Sequence, residues 1–250
     1  NLNEQAAIQQ IKEQDLREAL GRAQRDLIKA KARTDRLVEA TIEAAYDAAI
    51  SVPIRPVQPP KKDTRRKSPE VALWHLTDWQ GAKITPSYNS EVMHTRVHRF
   101  VDKAMKITDI QRADHPVKDV VIAFGGDQIE GLFNFPTQPY EIDQTLFGQF
   151  VTVSNLMVDV VRRAASYYEK VTVVAEWGNH GRLGSKRDAV VKSDNADRMT
   201  YELARQVIAA SGMKNVTWHD CPEDIHRIEI GNYRALLIHG DEIGRNGFAS

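Results

Sequence analysis

Five apolar residues, Val120-Val121-Ile122-Ala123-Phe124, run directly into Gly125-Gly126-Asp127-Gln128-Ile129-Glu130. A short apolar run closed by glycines reads as a buried strand ending in a sharp turn. Glycine lets the backbone turn there, and the strand then presents an acid at its C-terminal end, where α/β sheets bind their ligands. Gly-Gly-Asp alone is common in loops. Its weight comes from three other predicted strand ends. Asp78 closes the strand 71–77, Gly178-Asn179-His180 close 170–176, and His239 closes 233–239. All four ends carry residue types that bind metal ions.

The strands alternate with helical periodicity. Further strands are expected at 118–124, 215–219 and 226–231, and helices at about 90–113, 141–168 and 194–211. In the second helix Leu146, Phe150, Val153, Leu156, Met157, Val160 and Val161 recur at steps of three and four, an apolar face suited to a sheet. Gly231-Asn232 suits a two-residue hairpin joining the last two strands. The fold class is therefore α/β with an antiparallel edge.

Two segments precede this domain, which is assigned to 70–250. In 1–50, Leu16, Leu20, Ala23, Leu27, Ala30 and Leu37 form a short heptad seam, flanked by the pairs Glu13–Arg17 and Glu18–Arg22. One long coiled-coil-like helix is expected. It is either an arm that makes a homo-oligomer, a helix packed on its own domain, or a polar bridge to another partner. In 51–69, Pro53, Pro56, Pro59, Pro60 and Pro69 predict an extended, solvated linker. Its cluster Lys61-Lys62-Asp63-Thr64-Arg65-Arg66-Lys67 suits either phosphate contacts or a soluble spacer.

Lysine plus arginine equals aspartate plus glutamate at 34 each, so global charge gives nucleic-acid binding no support; only a local patch could. Cys221 is the only cysteine, which excludes an internal disulfide and a thiolate metal cluster and fits a cytoplasmic location. No apolar run approaches the roughly 20 residues of a membrane span.

Carboxylate, amide oxygen and imidazole together suit hard-to-borderline divalent ions. In order and spacing, Asp78-Trp79-Gln80, Gly126-Asp127-Gln128-Ile129-Glu130, Gly178-Asn179-His180 and Ile238-His239-Gly240 resemble the successive motifs of the calcineurin-like metallophosphoesterases. The resemblance covers about residues 70–245. It implies a two-sheet α/β sandwich with flanking helices and two divalent metal ions, Mn²⁺ first, with Mg²⁺, Fe²⁺ or Zn²⁺ as alternatives. By position, Asp78 and Gln80 would bind the first ion, Asp127 would bridge, and Asn179 and His239 would bind the second. His180 would protonate or stabilise the leaving oxygen.

Three departures from the family pattern stand out. Gln80 occupies a histidine position, which favours Mn²⁺ or Mg²⁺ over Zn²⁺ there. Gly181-Arg182 replaces an acidic residue, so Arg182 either contacts phosphate or is solvated. The family's GHxH motif does not occur before Ser250, which makes a longer chain the expectation. His94 and His98 share ligand spacing on one helix without an accompanying motif, and Trp79, Trp177, Phe133 and Phe135 offer either base stacking or packing. The expected activity is metal-dependent phosphodiester hydrolysis, with DNA as the nucleic-acid substrate and residues Asp127, His180 and Arg182 in the chemistry. The alternatives are a phosphomonoesterase or protein phosphatase, and a non-catalytic scaffold with a degenerate metal site.

Overall fold

The computed structural model describes residues 54–66, 68–184, 194–219, 225–241 and 243, together with residues 14, 18–22, 40, 43, 46 and 47. Contacts divide the chain into Asn1–Asp47 and Ala48–Ser250. In the first unit the described positions are helical and Leu20 is exposed. The continuous helix expected over 1–50, and nearly all of its seam, lie outside the described residues.

The second unit is α/β. Strands β1 (Glu70–Leu76), β2 (Val117–Phe124), β3 (Lys170–Ala175) and β4 (Val216–Trp218) form a parallel sheet in the order 1-2-3-4. Helices α1 (Ser90–Arg112), α2 (Leu146–Tyr167) and α3 (Ala196–Ala210) make the crossovers. Sequential order with right-handed crossovers puts all three helices on one face. Ring contacts agree: Trp74 of β1 meets Phe100 of α1 at 6.1 Å, and Phe124 of β2 meets Tyr201 of α3 at 6.0 Å. Val120, Ile122, Phe124, Val171 and Val173 are fully buried there, at about 1.5–3 kcal/mol for each large side chain removed from water.

The opposite face is covered by the antiparallel hairpin of β5 (His226–Ile230) and β6 (Tyr233–Leu237). Ile228 and Leu237 pack with Val121, Ala123 and Val174, flanked by Val71, Ile230 and Ala235. The hairpin turns at Gly231-Asn232, with Gly231 at φ +59° in the first central position, the type II′ pattern.

One expectation needs correction. The second helix begins at Leu146 rather than at 141, because Thr145 Oγ1 caps it by accepting from the Gly148 amide at 3.2 Å. The preceding residues are used elsewhere. The Asp143 carboxylate accepts from the Ser90 amide and hydroxyl at 2.9 and 2.6 Å, which ties this loop to the start of α1. The segment 54–66 has no regular structure and is mostly exposed, in keeping with its prolines, and a few contacts pin it to the domain. The Asp63 amide donates to Glu169 at 2.6 Å, Arg65 to the Arg112 carbonyl at 2.8 Å, and Lys118 to the Arg65 carbonyl at 3.0 Å. Ile54, Val57 and Pro60 are half-buried, which gives the segment an apolar side to lay down. Among the described residues no helix is long and apolar enough to cross a membrane.

Candidate metal centre

The C-terminal ends of β1, β2, β3 and β6 converge. Beyond β1 and β2 the chains keep pairing: the Asp78 amide donates to the Gly126 carbonyl at 3.1 Å and the Gln80 amide to the Asp127 carbonyl at 2.9 Å. This pairing holds unusual backbone. Asp78 (φ +55°), Gln80 (+44°), Ala82 (+76°) and Asp127 (+52°) are all left-handed without being glycine. Such residues cost about 1–3 kcal/mol each and persist where the surroundings over-determine them, typically at functional sites.

Glycine is required where the β2 and β3 loops meet. A Cβ on Gly178 would lie 2.0 Å from Asp127 Oδ1, and one on Gly126 would lie 2.6 Å from the Gly178 nitrogen. Asp127 can therefore sit directly over the β3 end. Its amide, and those of Gln128, Ile129 and Gly178, all donate to the Asp197 carboxylate at 2.8–3.2 Å. Asp197 is fully buried in the first turn of α3, where the helix N-terminus also favours an anion. Burial and the charge of Asp127 push its carboxyl up to about 6, against the backbone amides that donate to it and favour the ionised form. The sequence reading missed this residue. The available signal was Asn195-Ala196-Asp197 at a helix start, which reads as capping alone: Asn195 accepts from the Asp197 amide at 2.8 Å.

Asp127, Asn179 and His239 come together. His239 Nε2 lies 3.0 Å from Asn179 Oδ1 and 3.2 Å from Asp127 Oδ2, while its Nδ1 donates to the Gly125 carbonyl at 2.8 Å. The imidazole thus faces three acceptors. Burial lowers its pKa, but Asp127 and the Gly125 carbonyl outweigh that and raise it to about 9. For Asp127, burial raises the carboxyl, yet His239 and the His180 amide, 2.8 Å from Oδ1, bring it below the usual range.

These atoms fit a divalent ion. Two neighbouring ligands at bonds of about 2.1 Å lie about 3.0–3.4 Å apart in octahedral or tetrahedral geometry, which matches the separations seen here. Fixing Nδ1–H on a backbone carbonyl also leaves Nε2 as the ligand nitrogen. The donor set is two oxygens and one imidazole. Among the described residues no group of three His, Cys, Asp or Glu side chains could hold a metal, so the amide of Asn179 is needed to complete the trio.

The other expected site residues stand differently. Asp78 is exposed, and its carboxylate accepts from Thr77 Oγ1 at 2.6 Å. Gln80 is half-buried and joined to the centre through its backbone. No side-chain hydrogen bond links either to the trio among the described residues. The guanidinium of Arg182, partly exposed, pairs with Asp241, which straps the loop after β3 to the chain beyond β6.

His180 has a defined setting. Its Nδ1 lies 3.1 Å from Glu130 Oε2, and Lys83 donates to the other Glu130 oxygen at 3.2 Å. Burial lowers the imidazole pKa, but Glu130 and Asp127 more than reverse this and raise it. Phe135 lies against the ring at 4.9 Å between centroids. Trp79 and Trp177 are buried, Trp79 edge-on to Phe124 and Trp177 under Arg198, so both serve packing rather than base stacking. Phe133 is 46 % exposed. An apolar groove lies elsewhere, between the N-terminal half of β1 and α1, where Leu73, Phe100 and Ile107 line it.

What this describes is an α/β domain with a candidate divalent-metal centre at the C-terminal edge of its parallel sheet. No family model and no curated protein matches the chain.

Proposed function

We propose that the protein is a metal-dependent phosphodiester hydrolase with nucleic acid, DNA first, as its substrate. The observation that carries this reading is that His239 Nε2 lies 3.0 Å from Asn179 Oδ1 and 3.2 Å from Asp127 Oδ2. Its order of motifs resembles that of the calcineurin-like metallophosphoesterases, and the finer reading of the fold is their two-sheet sandwich, with the hairpin as part of the second sheet.

Asp127, Asn179 and His239 would hold one ion, with Asp78 and Gln80 as the expected ligands of a second that Asp127 shares. Divalent ions in such a site supply charge to a phosphoryl group and acidify water at neutral pH. The chain's own contribution is proton handling. Glu130, held by Lys83, anchors Nδ1 of His180 and favours the imidazolium, the form in which Nε2 also carries a proton. A diester releases an alkoxide, a poor leaving group that a positioned acid protonates. His180 is that acid in this reading.

The test pairs binding with turnover. Calorimetry should show Mn²⁺ binding that Asp127→Asn abolishes. Mn²⁺-stimulated hydrolysis should favour an aryl phosphodiester over the matching monoester and extend to single-stranded DNA. His180→Gln should lower turnover about 10²–10⁴-fold, the usual worth of a general acid, while leaving Mn²⁺ affinity in place. Preference for the monoester would promote the phosphatase reading. Tight Mn²⁺ binding without hydrolysis of any ester would favour a binding protein.

A further inference from the structure

On α1, between the Asp78–Gln80 and Gly126–Glu130 stretches of the chain, His94 and His98 stand one turn apart. Their ring centroids are 6.2 Å apart and their planes differ by 35°, so the two imidazoles share one side of the helix. The neighbouring helix adds a carboxylate: Asp159 Oδ2 of α2 lies 3.6 Å from His98 Nδ1. One turn further on along both helices, Asp102 pairs with Arg163. The two contacts therefore step in register, and Asp159 is held beside His98 by the same helix packing. The rings are half-buried rather than fully solvated. Burial first, and then the neighbouring His98, lower the pKa of His94, which favours the neutral ring that a metal ion needs.

We propose that His94 and His98 bind a borderline transition-metal ion, Zn²⁺, Cu²⁺ or Ni²⁺, with water completing the sphere. Two imidazoles on one ion place their ring centroids about 5.2 Å apart in tetrahedral geometry and about 6.4 Å apart in linear geometry, given metal–nitrogen bonds of about 2.1 Å. The observed 6.2 Å exceeds the tetrahedral separation by about 1 Å, a gap that rotation of the two side chains toward one ion would close. Asp159 does not need to be a ligand. A metal-bound histidine usually donates its other ring N–H to a carboxylate, which fixes the ring and makes it more basic. Asp159 Oδ2, at 3.6 Å from His98 Nδ1, is beyond hydrogen-bond distance here but near enough to take that place once the ring turns, which would leave Nε2 for the ion. This donor pair is softer than the oxygen-rich set of Asp127, Asn179 and His239, so the two places should sort different metals. The proposal is independent of the hydrolase reading.

The full chain can be titrated with substoichiometric Cu²⁺ while its histidine ring signals are followed by NMR, with His94→Gln and His98→Gln used for assignment. Paramagnetic broadening should reach His94 and His98 together. Each substitution should cut the broadening of the remaining ring at least tenfold, because one imidazole then has lost its chelating partner. Asp159→Asn should weaken Cu²⁺ binding several-fold while leaving both rings in play. His239→Gln should leave the broadening of His94 and His98 unchanged. If His98 broadens equally with and without His94, or if both sharpen in His239→Gln, there is no chelate on α1 and the proposal fails. Circular dichroism separates these outcomes from loss of the helix.

Discussion

His239 is the residue whose proton decides what the candidate centre holds. Its Nδ1 is committed to the Gly125 carbonyl, and Nε2 faces Asn179 and Asp127. A proton and a metal ion therefore compete for one atom. Because the imidazole pKa is raised to about 9, an entering ion must displace that proton over most of the accessible pH range. Mn²⁺ affinity should rise about tenfold per pH unit below 9 and flatten above it, with one proton released per ion. Calorimetry in buffers of different ionisation enthalpy reads that proton directly. In metal-free protein the sign reverses. The histidine's folded-state pKa lies above the ordinary value of about 6.5, so its pairing with Asp127 stabilises the fold fully below that pH and is lost as pH rises through about 9. The wild type should lose stability to urea across this window in the presence of chelator, and His239→Gln should lose less. Parallel curves for the two proteins would mean that the pair does not form in solution.

At the level of elements, the loops after β2 and β3 are tied together because α3 begins under them. Asp197 gathers four amides from the β2 and β3 loops, and Asn195 donates to the Gly178 carbonyl at 2.7 Å. Replacing Asp197 by Asn removes the charge and turns an NH₂ toward amides that need an acceptor. Each buried donor left unsatisfied costs about 1–3 kcal/mol, so Asp197→Asn should destabilise by at least about 2 kcal/mol in urea unfolding. It should also lower Mn²⁺ affinity without touching a ligand. A variant as stable as wild type would remove Asp197 from this role. Here the limit of sequence reading is physical. The central strand is legible as a short apolar run, the helices as apolar faces repeating at about 3.6 residues, and Gly125-Gly126-Asp127 because glycine marks a turn. Asp197 carries the same local signature whether it caps a helix or organises two distant loops. Glu130 and His180, 50 residues apart, likewise share no spacing that would announce their hydrogen bond. The start of α2 was misread because Asp143 and Thr145 sit in a pattern compatible with a helix, and only the three-dimensional neighbour Ser90 shows where Asp143 is used.

Over the whole molecule, the basic cluster and the candidate centre lie at opposite ends of the parallel sheet. Arg65 is fixed to the Arg112 carbonyl and its own carbonyl to Lys118, beside the start of β2, whereas Asp127 follows the end of that strand. Eight residues of strand span about 26 Å, so no single phosphate group can touch both. Arg65 is further committed to Asp63, which it holds to about 2 through hydrogen bonds. Lys61, Lys62 and Arg66 remain exposed and turned to solvent. A role for them in catalysis by direct contact is thereby excluded, but a long strand that wraps the domain could still lie on them. The two cases separate by substrate length. Lys61→Ala, Lys62→Ala and Arg66→Ala combined should leave turnover of an aryl diester and of a dinucleotide unchanged. Binding of a single strand long enough to run from one end of the sheet to the other should weaken, and the slope of log affinity against log salt should become shallower by about 0.7 for each lost phosphate contact. An equal loss on short and long substrates would mean that the linker acts through folding of the domain. No loss on either would leave these lysines and this arginine as the solvated side of a segment whose work is done by Asp63 and Arg65, pinning the chain before β1 to the N-terminal end of the sheet.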